Sequence, residues 1–462
     1  GIPSLFIQQG FIIAILFYCF LKCCGFKASD ILFISIITIT VNYTTQTSFV
    51  ILAYFTCFYF ILRSKCNNNK NILIVNELIW GGGAEKYAIN LYSLFKEKGY
   101  NVRLLTFDNQ FKKNVKYVNC PTYEDFYNLE LNEKWKKIGK ILFQPIVYLK
   151  LNSFIQEYNP SHILINNIFS CPITFYSVIN GYDNIQIVHD AGIICPKSTC
   201  IQNDNTICEG YKFKNCLECC TYHNSKIILL TKLLQLKYLE FLRKKVIRFF
   251  ISPSNWLKEY LCRFDYNAIQ IPNPIVYTEL KSKQKKNKHL LYVGSINENK
   301  GIFQFIEKFN DLHVDIKFDI IGKTQSKKDT KRLNELISIN ENICYLGEKG
   351  NEDVLKFIRD SYCLVVPSLS LENYPTTVLE GISQKTLVIG SKRGGIPELI
   401  KDSRLLFEPN SITEIKQVLD FVYTLSDEEY ENKINFNSEV LTNNDVSVFW
   451  LKIIEELHRS QN

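Results

Sequence analysis

The sequence carries little excess charge of either sign. Its 462 residues contain 54 Lys and Arg against 46 Asp and Glu, which gives a net charge of +8. Dedicated DNA-binding proteins usually show a denser basic patch, so this balance favours anionic small molecules or an anionic membrane surface as partners. We therefore expect no nucleic-acid partner.

The chain also lacks the short, disulfide-dense form of small secreted domains, although it has 16 cysteines. It is long enough for two or three domains, and Cys19, Cys57 and Cys363 all lie in apolar stretches. Cysteines in such places are usually small buried hydrophobic residues. We therefore expect no secreted disulfide framework.

Charged residues are missing from residues 1–21 and 31–62. The first run is about long enough to cross a bilayer, and the second is too long for one simple span, which leaves the number of spans open. No basic region precedes them, which argues against a cleaved signal peptide. The runs predict a membrane anchor at residues 1–68, with a buried hydrophobic hairpin as the alternative. Basic residues follow Leu62 and place the main body on the cytoplasmic side.

The dinucleotide fingerprint with spaced glycines is missing, but a run of contiguous glycines follows the first predicted strand, residues 71–76. A predicted helix and a strand at residues 101–107 complete a βαβ unit. Contiguous glycines let a ligand approach the backbone closely. Gly82 and Gly83 are therefore candidate ligand-binding residues, with a plain tight turn as the alternative.

His189 and Asp190 stand at the end of a predicted strand, residues 185–188. Ligands of open parallel sheets bind at the carboxyl ends of strands, where an imidazole can bond a hydroxyl group or move a proton. His189 is therefore a candidate catalytic residue. The alternative is a histidine that only pairs with its neighbour Asp190.

Six cysteines follow within residues 195–220. Cys216 and Cys219 have the spacing of a structural zinc pair, and Cys195 and Cys208 complete a four-thiolate set. A cytoplasmic location favours metal binding over disulfides. Structural zinc at these four residues is one hypothesis, and free or disulfide-bonded cysteines are the other; the sequence leaves both open.

Residues 227–250 have the pattern of an amphipathic helix with basic residues near its end. This helix would rest on anionic lipid or present a solvated face; the sequence does not separate the two.

The most informative stretch is residues 363–400. It begins with a predicted strand, continues as a polar loop with Glu372, and enters a predicted helix at Pro375, its expected first helical residue. Glu380 lies in the second turn of that helix. The unpaired amides of the helix start lie between the two carboxylates and suit a phosphate group. The alternative is that each glutamate only offsets a helix dipole.

A second βαβ series begins at Leu290, and the two Rossmann-type halves meet at Pro272-Asn273-Pro274. This arrangement resembles the GT-B fold, and the motifs resemble those of family 4 glycosyltransferases over nearly all of residues 71–458. The residues that carry the resemblance are Gly82–Glu85, His189-Asp190, Gly294, Lys300-Gly301, the Glu372/Glu380 pair and Gly394-Gly395. The cysteine loop resembles that of a subset acting on bacterial surface polysaccharides.

The resemblance predicts an α/β GT-B fold with two Rossmann-like domains that face a cleft, preceded by the hydrophobic helical membrane segment. The expected parts are the anchor at 1–68, an N-terminal acceptor domain at 69–275 with the cysteine loop at 195–220, a C-terminal nucleotide-sugar domain at 276–440, and a helix at 441–462 that packs back on the N-terminal domain.

The resemblance also implies a retaining hexosyltransferase that uses a nucleotide-diphosphate sugar and needs no metal for catalysis. Its acceptor would be a saccharide or a lipid-linked molecule of surface glycan or glycolipid synthesis. Glu372 would hold donor sugar hydroxyls, Glu380 the ribose hydroxyls, and His189 would touch the donor sugar. Lys300 and the backbone amides from Tyr374 through Thr376 and Thr377 would hold the diphosphate, and Gly294 would also lie at the donor. Gly82 and Gly83 would approach the phosphate or the acceptor from the opposite half. No nucleophile is assigned.

One departure from the family pattern is Ser295, where members often carry arginine. This departure leaves open an alternative function, that of a catalytically silent GT-B subunit that binds a partner glycosyltransferase. The sequence is also compatible with a GT-B nucleotide-sugar epimerase, and the cysteine loop with a zinc-dependent redox protein.

Overall fold

The computed structural model describes residues 70–79, 82–114, 123–140, 142–202, 207–208, 213–219, 226–273, 287–442 and 446–459. The membrane anchor predicted at residues 1–68 lies outside these ranges. Within them, no helix combines the length and apolar character needed to cross a bilayer.

The first half contains a seven-stranded parallel sheet in the order β3-β2-β1-β4-β5-β6-β7. Its strands are β1 (Asn71–Val75), β2 (Asn101–Thr106), β3 (Phe126–Asn128), β4 (His162–Ile165), β5 (Asp183–Ile187), β6 (Phe249–Ser252) and β7 (Ala268–Gln270). In register, Ile72 of β1 lies opposite Val102 of β2 and His162 of β4. The strand order reverses at β1, and such a switch point opens a crevice at the carboxyl ends of β1 and β4.

The second half contains a six-stranded parallel sheet in the order β10-β9-β8-β11-β12-β13. Its strands are β8 (Asn287–Val293), β9 (Lys317–Ile321), β10 (Ile343–Gly347), β11 (Ser361–Val366), β12 (Leu387–Ser391) and β13 (Leu406–Phe407). Its switch point lies between β8 and β11, which pair directly. The loops that follow these two strands carry Lys300 and Glu372.

Helices connect the strands in both halves. In the described ranges they are α1 (Gly83–Glu97), α2 (Phe111–Asn114), α3 (Glu133–Gly139), α4 (Pro145–Tyr158), α5 (Pro172–Val178), α6 (Phe213–Cys219), α7 (Lys226–Val246), α8 (Asn255–Cys262), α9 (Ile302–Asp311), α10 (Lys327–Ile337), α11 (Asn351–Asp360), α12 (Thr376–Ser383), α13 (Ile396–Leu399), α14 (Ile412–Thr424), α15 (Asp427–Thr442) and α16 (Val446–Arg459).

Both faces of the first sheet are buried. Successive side chains of a strand point to opposite faces, so Leu73 joins one apolar cluster and Ile72 joins the other. The Ile72 cluster includes Tyr87 of α1 and the fully buried Trp450 of α16. The last described helix therefore packs on the first sheet. Two parallel sheets with helices on their faces confirm the predicted α/β, GT-B-like architecture.

Candidate functional site

Lys300 and Glu372 meet at the switch point of the second sheet. Lys300 Nζ lies 2.7 Å from Glu372 Oε1, and Ser368 Oγ donates to the same oxygen at 2.7 Å. The two residues follow the neighbouring strands β8 and β11, whose carboxyl ends lie at one edge of the sheet. The Lys300 ammonium and the Glu372 carboxylate therefore lie together at this edge, and both of these contacts use the same carboxylate oxygen, Oε1.

Two glycines let neighbouring turns approach the Glu372 loop. Gly301 has φ +68°, and a Cβ there would lie 2.0 Å from the Pro367 carbonyl oxygen. Gly394 has φ +60°, and a Cβ there would lie 2.1 Å from the Glu372 carbonyl oxygen, which accepts a hydrogen bond from Gly395 N at 2.7 Å. Neighbouring backbone therefore approaches the loop that carries Glu372 at both Pro367 and Glu372.

We expect Gly394→Ala to lower the free energy of unfolding by roughly 2–4 kcal/mol, because it combines left-handed backbone strain with a backbone clash. Gly347→Ala is the matched control, since Gly347 has φ +77° with no atom near its Cβ position. Its expected loss is about 1 kcal/mol. Urea denaturation measures both variants, and equal losses would contradict the close approach at Gly394.

The Glu372 loop leads into α12 through Pro375, whose ψ of 118° is extended. The sequence predicts Pro375 as the first helical residue, but in the structure it precedes the helix, which begins at Thr376. Amides at the start of a helix have no acceptor within it, and Thr376 and Thr377 occupy these positions. Tyr374 packs against the apolar core of the second half.

Glu380 lies one turn further along α12 and is half-buried. Burial raises the pKa of Glu380, and the nearby Lys86 ammonium opposes that rise. Lys86 belongs to α1 of the first half, and its Nζ donates to Asn351 Oδ1 at 2.9 Å. The start of α1 therefore faces α11 and α12 across the cleft.

Gly82 and Gly83, at the same end of α1, are exposed. Gly82 N donates to Glu85 Oε2 at 2.8 Å, and a Cβ at Gly83 would meet no atom within 4 Å. The Gly83 backbone is therefore open to a ligand. Gly294 directly follows β8 in the second half. A Cβ at Gly322 would lie 1.8 Å from the Gly294 carbonyl oxygen, so the two glycine backbones are in close contact.

His189 bonds Asn166 rather than its neighbour Asp190. His189 Nε2 lies 2.6 Å from Asn166 Oδ1, while the Asp190 carboxylate accepts from Gly192 N. The Asn166 amide group donates to Asn76 Oδ1 at 2.7 Å and to the Ala84 carbonyl oxygen at 2.8 Å. Asn166 Oδ1 must therefore accept the hydrogen bond from His189. The His189 ring thus carries its proton on Nε2 and a lone pair on Nδ1.

Burial lowers the pKa of His189 to about 4, so the ring is neutral at pH 7. The Tyr87 ring meets it edge-on, with centroids 5.0 Å apart. A neutral imidazole can accept a hydrogen bond from a hydroxyl group, but it supplies no positive charge for a phosphate.

The depressed pKa predicts a pH effect on stability. An unfolded chain takes up the proton near pH 6.5, whereas the folded chain does so only near pH 4. As pH falls through this window, the unfolded state binds more protons and the native state loses stability. We expect the free energy of unfolding of His189→Gln to fall less steeply between pH 6.5 and 4 than that of the wild type. Parallel slopes in urea denaturation would contradict this.

Sequence reasoning missed Asn76 and Asn166. Each directly follows a buried strand, β1 and β4 respectively, and the two strands are neighbours in the sheet. A polar residue immediately after each of two buried strands is a usable signal, because parallel strands end at one edge.

Sequence reasoning also missed Asn373, which joins the two halves. Its side-chain amide group donates to the carbonyl oxygens of Val188 at 2.8 Å and His189 at 3.2 Å. Its Oδ1 accepts from Ser254 Oγ at 2.5 Å. The residue next to Glu372 is therefore buried and anchored to the strand end that carries His189.

Glu398 forms a second contact between the halves. Its carboxylate accepts from Asn255 N at 2.8 Å and from Trp256 N at 2.6 Å, which are the first amides of α8. A carboxylate at a helix N-terminus satisfies amides that have no partner within the helix. No periodic pattern in the sequence marks this contact or that of Asn373.

The four cysteines predicted to bind zinc are not brought together. Cys195 pairs with Cys200, whose thiol donates to it and lowers the pKa of Cys195 to about 6. Cys216 packs with Leu229 and Leu233.

The remaining two predicted ligands have other neighbours as well. Cys219 Sγ lies 3.6 Å from Lys197 Nζ, and the backbone of Cys208 pairs with Cys200 and Tyr260. Across the part of the chain that the structure describes, no three His, Cys, Asp or Glu side chains are grouped to hold a metal. The described residues therefore do not show the zinc site considered for these four cysteines.

Two curated proteins show what the chain is similar to. An uncharacterized glycosyltransferase of Methanocaldococcus jannaschii is 29% identical over 32% of this chain and 41% of its own length. A putative teichuronic acid biosynthesis glycosyltransferase of Bacillus subtilis is 26% identical over 28% of this chain and 31% of its own length. The chain thus spans less than half of either relative.

Among solved structures, Anabaena HepE in complex with UDP superposes with a TM-score of 0.64 at 14% identity, over 84% of this chain and 99% of that one. This likeness concerns the fold. Residues 278–439 match the family described as glycosyl transferases group 1, and this matched segment holds Gly294, Lys300, Glu372 and Glu380.

Proposed function

We propose that this chain is a retaining, metal-independent glycosyltransferase of family 4 that moves a hexose from a nucleotide-diphosphate sugar to a saccharide or lipid-linked acceptor. The contact between Lys300 Nζ and Glu372 Oε1, in the loops before α9 and α12, is the observation that carries the proposal. The group 1 match over residues 278–439 and the UDP held by HepE support the same donor class.

The chemistry needs positive charge beside the leaving group. The bond from the sugar's anomeric carbon to the diphosphate oxygen breaks and the nucleoside diphosphate leaves. The acceptor hydroxyl oxygen forms the new bond to the anomeric carbon, and its proton passes to the departing diphosphate oxygen. Lys300 and the amides of Thr376 and Thr377 would stabilise the charge that develops on the diphosphate. Preorganised donors of this kind need no rearrangement during the reaction.

The carboxylates would hold hydroxyl groups. Glu372 keeps Lys300 in place and has a second oxygen for a donor-sugar hydroxyl. Glu380, half-buried one turn into α12, suits the adjacent hydroxyls of the ribose. The neutral His189 ring carries its proton on Nε2, so its Nδ1 would accept a hydrogen bond from a sugar hydroxyl. We assign no nucleophile.

A donor screen tests the proposal. The purified chain is incubated with a panel of nucleotide-diphosphate hexoses and saccharide or lipid-linked acceptors, and nucleoside diphosphate release is measured. Proton NMR of the product then gives its anomeric configuration. We expect acceptor-dependent release and retention; inversion would refute the retaining mechanism alone.

A second candidate is a catalytically silent GT-B subunit, which Ser295 favours because the expected second phosphate cation is missing there. UDP binding by calorimetry without turnover on any donor would support that candidate. Conversion of the donor into an epimeric nucleotide sugar, without transfer, would instead indicate an epimerase.

We further propose that the chain is membrane-associated with both halves on the cytoplasmic side and that it serves surface glycan or glycolipid synthesis. The charge-free runs at residues 1–21 and 31–62 and the basic residues after Leu62 support this location. Membrane fractionation with protease protection tests it: the halves should be cleaved only from the cytoplasmic side.

A further inference from the structure

Helices α3, α4 and α7 of the first half, with the loop before α4, expose many large apolar side chains. Ile146 is 65% exposed, Phe241 61% and Leu142 60%. We call this the rim surface and define it by nine residues: Trp135, Leu142, Phe143, Ile146, Leu149, Leu230, Leu234, Tyr238 and Phe241. Single exposed apolar residues are ordinary, but a group of this size usually marks an interaction site.

Hydrogen bonds link the elements that carry the rim surface. Gln144 Nε2 donates to the Trp135 carbonyl oxygen at 2.7 Å, which joins α3 to the start of α4. Gln235 of α7 donates to the Lys140 carbonyl oxygen and so joins α7 to the same loop. Along α7 the four apolar residues recur at intervals of four, four and three, which places them on one helix face.

Lysines outnumber acids around this surface. On α3, α4, α7 and the loop before α4 the exposed lysines are Lys134, Lys140, Lys150, Lys237, Lys244 and Lys245. The acidic residues of these helices are Glu133, Glu157 and Glu240, of which Glu240 is paired with Lys237 and Lys244. Arg243 is buried beside Tyr176 and takes no part. An apolar surface with excess lysine matches an anionic lipid interface.

The position of the rim surface relates it to the cleft. Helix α4 runs back toward β4, and α7 runs back toward β6, so both begin at the carboxyl edge of the first sheet. His189 and the glycine turn stand at that same edge. The part of the rim surface at the helix starts, which includes Leu142, Ile146 and Leu230, therefore lies at the same edge of the sheet as the candidate site.

We propose that the rim surface docks on an anionic phospholipid bilayer, with its apolar side chains among the acyl chains and its lysines at the headgroup phosphates. Docking would place the cleft opening at the membrane, where a lipid-linked acceptor reaches it without leaving the bilayer. The acceptor part of this inference rests on the proposed function; the docking itself does not.

Quenching of Trp135 fluorescence tests the docking. The full chain is bound to vesicles of brominated phosphatidylcholine with or without phosphatidylglycerol. Trp135→Phe identifies the Trp135 signal, because the sequence has four tryptophans. This local readout is needed because residues 1–68 are expected to bind any bilayer. We expect bromolipid to lower the Trp135 emission on the order of twofold when phosphatidylglycerol is present.

Two variants and one control complete the test. The triple variant Ile146→Ser/Leu234→Ser/Phe241→Ser should abolish the Trp135 quenching. Lys140→Gln, Lys150→Gln and Lys245→Gln should each lower the affinity of the rim surface for phosphatidylglycerol vesicles about fivefold. The control is Ile339→Ser/Phe436→Ser, which removes exposed apolar residues from the second half and should change nothing.

Three outcomes would overturn the proposal. They are equal quenching on neutral and anionic vesicles, no Trp135-dependent quenching on either, and shielding of Trp135 from acrylamide in buffer. The last would mean that residues 1–69 or a second copy cover the surface. None of them depends on glycosyl transfer, so failure of docking and failure of the proposed function are distinguishable.

Discussion

Lys300→Met should lower kcat/KM for the nucleotide-sugar donor by about 10²- to 10³-fold, since removing one preorganised donor to developing negative charge typically costs that much. Methionine keeps most of the side-chain volume and removes the ammonium that lies 2.7 Å from Glu372 Oε1. Ser368 Oγ still donates to the same carboxylate oxygen, so the loop retains one of its contacts. The loss should therefore appear in phosphate binding and turnover rather than in folding.

Nucleoside diphosphate release gives kcat/KM, and calorimetry gives the affinity for UDP. The matched control is Lys323→Met, because Lys323 also follows a strand of the same sheet and faces a carboxylate, that of Glu348, at 3.9 Å. Exposed pairs of this kind contribute about 0–1 kcal/mol, so we expect at most a few-fold change. Activity of Lys300→Met within threefold of the wild type would remove Lys300 from the phosphate site.

Asn373→Ala should lower kcat by roughly 10²-fold with a much smaller change in KM, because a displacement of about 1 Å in a catalytic group can cost that much. Asn373 directly follows Glu372, and its side-chain amide donates to the carbonyl oxygens of Val188 and His189. Its substitution leaves buried carbonyl and hydroxyl groups without their partner, so the two halves should shift relative to each other. Asn373 is thus a positioning residue that acts through Glu372 and His189.

A structural role alone would predict a different pattern. Glu398→Gln weakens the same junction between the halves at the start of α8, away from Glu372. We expect it to lower the free energy of unfolding by about 1–2 kcal/mol and kcat by only a few-fold. If Asn373→Ala and Glu398→Gln lose the same stability and the same kcat, Asn373 does not set the geometry of the site. Partial recovery of kcat in Asn373→Gln would support positioning.

The two sheets were predictable in most of their extent. Val366, Ile165 and Val75 end short apolar runs, and such runs between turn residues predict buried parallel strands. Residues 108–160 gave no prediction, yet they contain β3, α3 and α4. Strand β3 has three residues, which is too few for a periodic signal, and the exposed apolar residues of α4 obscure its helical pattern.

The sequence by itself determined the two-sheet α/β architecture and the spacing of Glu372 and Glu380, because both depend on local runs and on positions along one helix. Only the tertiary structure decided which side chains meet. Lys300 and Glu372 are 72 residues apart in sequence, and they meet because β8 and β11 are neighbours in the sheet. Asn373 reaches His189 across 184 residues, and Cys195 pairs with Cys200 rather than with Cys216 or Cys219. Such contacts depend on strand order and on packing between the halves, which no local pattern encodes.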